Sequence, residues 1–155
     1  RIKFGVIGLT VNPIGSGGKM QNKSLTLDYI TRAGHRLAAL EVLMSRNSYA
    51  DVVREGQEIV ELCLKALLRF SRIEVPRTHD VSDILLEFTS QLPATVQPQA
   101  AQLAKVSKQM RRDRELSFYG SEDLTPSEFY QSEDAKEALK NTKWLYDICR
   151  AAITG

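Results

Sequence analysis

The chain has 155 residues, 43% of them hydrophobic and 26% charged, which is enough to bury the core of one globular domain without cross-links. Its 21 Lys and Arg against 19 Asp and Glu leave a net charge of +2, so no whole-molecule field favours DNA or an anionic membrane, and any basic site must be local. No apolar run approaches the roughly 18 residues of a membrane span and no charged-then-apolar leader opens the sequence, so the expected location is the cytoplasm.

Residues 1–19, RIKFGVIGLTVNPIGSGGK, join a short alternating β-prone run to a turn at Asn12-Pro13 and a Gly/Ser linker. They read as an extension outside the fold, with Met20 a candidate start and the domain itself over residues 20–155. The run GSGGKM fails as a phosphate-binding loop, because Pro13 stands at the first glycine position and Met20 where Ser or Thr is required.

From about Leu25 the period is helical. Ile30, Ala33, Leu37, Leu40 and Met44 share one face of a helix that ends near Arg46, and this leaves His35 on the opposite, solvated face. After Asn47-Ser48, a second helix carries the strongest periodic signal, with Tyr49, Val53, Gly56, Val60, Cys63, Leu67 and Phe70 at alternating spacings of four and three. Val52, Ile59, Leu62, Leu64, Ala66 and Leu68 widen its stripe, as expected for the central member of a bundle. Beside that stripe Gln57, Glu61 and Lys65 stack four apart and read as a solvated face, in which the Glu61–Lys65 pair contributes a few tenths of a kcal/mol.

Asp80, with Asp83 in the first turn, caps a third helix that follows the stretch IEVPRTHD and is expected to run to about Leu92, where Pro93 stops it. A fourth helix spans about Gln97 to Phe118. Thr125-Pro126-Ser127-Glu128 signals one short helical turn, and Ser132, Glu133 and Asp134 open the last helix, with Ala135, Ala138, Thr142, Leu145, Cys149 and Ala152 on its inner face. The sum is an all-α, antiparallel up-and-down four-helix bundle with an additional short helix. Trp144 lies off the core stripe, at a subunit interface or packed on a neighbouring helix.

Cys63 and Cys149 sit among apolar residues and read as buried thiols of a reducing compartment. No carboxylates are spaced as metal ligands, and neither His35 nor His79 stands in a motif that would activate a nucleophile. No cofactor is expected. The fourth helix turns basic in KVSKQMRRDRE, where Lys105, Lys108 and Arg112 share a face, Arg111 and Arg114 lie beside it, and Phe118 and Tyr119 follow. Clustered cations with nearby aromatics suit phosphate contact and base stacking; the alternative is a solvated face balanced by Asp113 and Glu115.

The run YADVVREGQEIVELCLKALL, the loop IEVPRTHDVSDILLE and the later SEFYQSEDAKEAL resemble, in order and spacing over about residues 25–150, the HEPN family, the small helical domains named for nucleotide binding in higher eukaryotes and prokaryotes. The resemblance implies the same four-helix bundle, a nucleotide or RNA ligand, homodimerisation, and pairing with a small nucleotidyltransferase in a toxin–antitoxin system. Active members of the family carry an arginine followed, after four to six residues, by a histidine, and two copies meet across a dimer to cleave RNA. Arg72 and His79 meet that spacing, with histidine able to exchange a proton with the ribose hydroxyl and arginine to hold the phosphate. They stand earlier in the chain than the family's catalytic pair, and the later KQMRRDRELSFYGSEDL has arginines and no histidine. The expectation is therefore a binding and partner module using Lys105, Lys108, Arg111, Arg112, Arg114 and Tyr119. The alternatives are a metal-independent RNA endonuclease using Arg72 and His79, and a helical domain that contacts only protein.

Overall fold

The computed structural model describes the backbone of residues 15–75, 77, 80–119 and 124–155, and the side chains of 23–75, 77, 80–114 and 124–155. Among the described residues there are six α-helices: α1 Gly15–Ser45, α2 Tyr49–Phe70, α3 Val81–Glu87, α4 Ala100–Tyr119, α5 Pro126–Phe129 and α6 Ser132–Thr154. There is no strand among the described residues. The four long helices form the expected bundle, with α3 and α5 as short additions.

Side-chain pairings give the directions. Arg36 on α1 reaches Glu55 on α2 at 3.2 Å and Arg69 lies over the Tyr29 ring at 5.9 Å, so α1 and α2 are antiparallel. Arg111 and Arg114 on α4 meet Glu61 and Glu58 on α2, which makes that pair antiparallel too. On α6, Lys143 meets Glu41 of α1 at 2.6 Å and Tyr146 lies beside Gly34, while Thr142 lies beside Gly56 of α2 and Cys149 near Cys63, so α6 runs with α2 and against α1. α2 touches α1, α4 and α6, whereas α4 and α6 barely meet. This central placement follows from its wide stripe: Val52, Val53, Ile59, Val60, Cys63, Leu64, Ala66, Leu67 and Leu68 are all buried. At roughly 1.5–3 kcal/mol per large apolar side chain, α2 supplies the largest share of core burial.

Several boundaries differ from the sequence reading, each for a local reason. The GSGGK stretch, expected as a linker, is helical from Gly15 onward; extending the strongly periodic helix behind it costs less than nucleating a new one. The preceding residues 1–14 lie outside the described residues. α3 stops at Glu87 rather than near Leu92, because the Thr89 hydroxyl takes the carbonyls of Leu85 and Leu86, and a 3-10 turn, Thr89–Gln91, follows. α6 opens at Ser132 as expected, with Gln131 at the cap position and its amide donating to Asp134 at 2.8 Å. Thr125 and Glu128 form the expected capping box of α5.

Both α1 and α2 end in the same six-residue turn, with the residue after the cap in the left-handed region: Asn47 at φ 60° and Arg72 at φ 62°. In each, that residue's amide bonds the second-last helical carbonyl (Asn47 to Met44, Arg72 to Arg69) and the next amide bonds the one before it (Ser48 to Leu43, Ile73 to Leu68). Asparagine adopts this conformation readily. Arginine carries a Cβ that resists it, so Arg72 stands where glycine would be the easier residue.

Candidate functional site

The basic stretch of α4 divides into two groups. Lys105, Lys108 and Arg112, at i, i+3 and i+7, are exposed. Lys108 donates to Asp83 at 3.0 Å in a pair whose side chains are 60% and 63% exposed, and the Asp83 carboxylate raises the pKa of the lysine. Arg112 donates to Gln109 Oε1 at 2.6 Å. Arg111 and Arg114 turn the other way, toward α2. Arg111 contacts Glu61 at 3.3 Å and Asp80 at 3.6 Å, and Arg114 donates to Glu58 at 2.6 Å. The side chains of Phe118 and Tyr119 lie outside the described residues, as do Glu115 and the acidic stretch after it.

The stripe expected to be solvated is instead part of this inner network. Gln57 is 3% exposed and donates to Glu61 at 3.2 Å, while Lys65 meets the same carboxylate at 3.5 Å. The reason lies in α4, which covers that side of α2 and brings Arg111 against it. Glu61 therefore accepts hydrogen bonds from Gln57 and Arg111 and pairs with Lys65, three side chains on two helices.

Asp80 closes the network. It caps α3 by accepting from the Ser82 amide at 2.9 Å and the Ser82 hydroxyl at 2.7 Å, and it faces Arg111. Partial burial pushes its pKa up, but those two hydrogen bonds and the charges of Arg111 and Lys108 outweigh burial and hold the carboxyl below its ordinary value. Replacing it, Asp80→Ala, removes a helix cap and one partner of Arg111; the expected loss is about 1–2 kcal/mol, read from urea denaturation. An unchanged midpoint would mean that the cap and the ion pair contribute nothing.

Of the Arg72–His79 pair, Arg72 is exposed at the end of α2 and borders a cavity of about 340 Å³. His79 lies outside the described residues. His35 is exposed on α1, as its helical position predicts. Trp144 is half-buried and packs against the core, and Cys63 and Cys149 are free, fully buried thiols. Among the described residues no cluster of three His, Cys, Asp or Glu could hold a metal ion, and no helix is long and apolar enough to cross a membrane.

These features define a small four-helix domain whose α4 is fastened to α2 and α3 by ion pairs and keeps a cationic outer face. A family model for the HEPN domain matches residues 26–152, and the chain belongs to the HEPN domain family. No curated protein and no solved structure gives a match.

Proposed function

We propose that the protein is a nucleotide- or RNA-binding HEPN module that works as a homodimer beside a small nucleotidyltransferase in a toxin–antitoxin pair. The observation that carries binding is the outer face of α4, where Lys105, Lys108 and Arg112 form a ridge spanning about 10 Å of helix. The Lys108–Asp83 pair is exposed and screened by solvent, and yields readily to a phosphate. Arg111 and Arg114 serve to hold the ridge in place. The dimer and the nucleotidyltransferase partner rest on family membership alone.

Binding of ATP or a short single-stranded RNA, followed by fluorescence anisotropy, should weaken with salt. The Lys105→Ala/Arg112→Ala variant should bind about tenfold more weakly, with a salt slope on the single-stranded RNA shallower by about 1.4. No binding of either ligand at micromolar protein would leave a domain that contacts only protein. Metal-free cleavage of RNA, abolished by His79→Ala with helicity intact, would instead make the protein a ribonuclease using Arg72 and His79.

A further inference from the structure

A second basic site, apart from α4, lies where the third and fourth turns of α1 meet the end of α2 and the end of α6. The cavity there, about 340 Å³, is lined by Lys23, Thr26, Leu27, Arg69, Phe70, Arg72 and Ile153. Three of these side chains are cationic and none is acidic. Arg69 is positioned across the ring of Tyr29, and among the described residues neither Lys23 nor Arg72 enters an ion pair. Phe70 was expected on the buried stripe of α2 but is 44% exposed, because the helix ends there and its ring borders the cavity; Leu27 is 38% exposed beside it.

Thr26 is the telling residue. It continues the Ile30, Ala33, Leu37, Leu40 stripe one turn back and is only 2% exposed, yet its hydroxyl has no hydrogen-bond partner among the described residues. The hydroxyls of Thr89, Thr142 and Thr154 each donate to the carbonyl four residues earlier; that of Thr26 does not. A buried hydroxyl without a partner is unfavourable unless something supplies one. Arg72 adds an independent sign, since it holds a left-handed conformation that suits glycine better and does so at the rim of the same cavity.

We propose that this cavity binds a small organic anion, with an oxyanion head held by Arg72, Lys23 and the Thr26 hydroxyl and an apolar body against Leu27, Phe70 and Ile153. The volume lies at the lower end of ligand sites, which suits one ring or a short chain rather than a polymer. The shared chemistry is an oxyanion on an apolar body, so a phosphate monoester and a carboxylate are both tested.

The test is calorimetric titration of the full chain with phenyl phosphate, benzoate, inorganic phosphate and benzyl alcohol. Phenyl phosphate or benzoate should bind at least about tenfold more tightly than both inorganic phosphate and benzyl alcohol, because head and body contribute together. The tighter of the two organic anions identifies the head group. Arg72→Gly should weaken that anion about tenfold while leaving the thermal midpoint unchanged or higher, since glycine relieves the backbone. Thr26→Val should weaken it several-fold, also without loss of stability, because the isosteric methyl needs no partner. Failure of both organic anions to bind at millimolar concentration, or binding that neither variant alters, would overturn the proposal.

Discussion

Gly56→Val is expected to destabilise the protein by roughly 3 kcal/mol or more. Gly56 lies buried on α2 where α1, α4 and α6 converge. A Cβ added there would stand 2.9 Å from Thr142 Oγ1, 3.1 Å from the Met110 terminal methyl and 3.9 Å from Leu40. Thr142 cannot easily withdraw, because it is fully buried and its hydroxyl donates to Ala138 O at 2.7 Å. Valine adds two further methyls to that space and can be accommodated only by moving helices apart. Gly34→Ala is the control: the three atoms nearest its Cβ would all belong to the Tyr146 ring and hydroxyl, the closest being that hydroxyl at 2.8 Å, the outer end of a side chain that can swing. Thermal denaturation should show a large fall in midpoint for Gly56→Val and little change for Gly34→Ala. Equal midpoints for the wild type and Gly56→Val would show that the three-helix contact is looser than described.

The second large effect is a loss of stability in alkali. Burial pushes the Cys63 thiol up from its ordinary 9.0 to about 12 and raises Cys149 well above the same value, with the neighbouring Cys63 adding to the shift. Burial, then the nearby carboxylates of Asp113 and Asp134, raise the Tyr130 phenol from 10.0 to about 12; its hydroxyl donates to the Asp113 carbonyl. The folded chain therefore keeps protons that the unfolded chain has released. Stability from these groups is fully present below about pH 9 and is lost as pH rises toward 12. The Cys63 thiol should account for about 2 kcal/mol by pH 10.5, and Cys149 adds to the loss in the same direction. Denaturant midpoints from pH 7 to 10.5 read the fall directly. Cys63→Ala/Cys149→Ala should lower the plateau at neutral pH but flatten the slope above pH 9, and a slope unchanged by the double substitution would assign the alkaline loss elsewhere.

The fold was legible in the sequence wherever one element alone sets the pattern. α2 carries its own dense stripe, so its limits at Tyr49 and Phe70 follow from spacing, and the Thr125–Glu128 box marks α5 because both partners lie within four residues. What could not be read depends on a second helix. Neighbouring positions on a helix differ by about 100° in direction, so KQMRRDR shows four clustered cations without showing that Arg111 and Arg114 turn inward. Their partners, Glu61 and Glu58, are 50 and 56 residues away. Gln57 looked solvated for the same reason, since only the arrival of α4 buries it. The cavity at Thr26 and Arg72 is the extreme case, being assembled from α1, α2 and α6, and the one hint along the chain was a non-glycine residue at the end of α2.

The contact between Gly56 and Thr142 joins residues far apart in the chain, and the Cys63 and Cys149 thiols are close enough to influence each other. During synthesis, α1 and α2 can form their hairpin early, but the Gly56–Cys63 edge of α2 waits for α6, more than 60 residues later. A nascent chain at that stage presents an uncovered apolar ridge on its most hydrophobic helix, the condition under which newly made chains associate wrongly or are held by chaperones. The same central position that makes α2 the support of the finished bundle makes it the element most exposed while the bundle is being made.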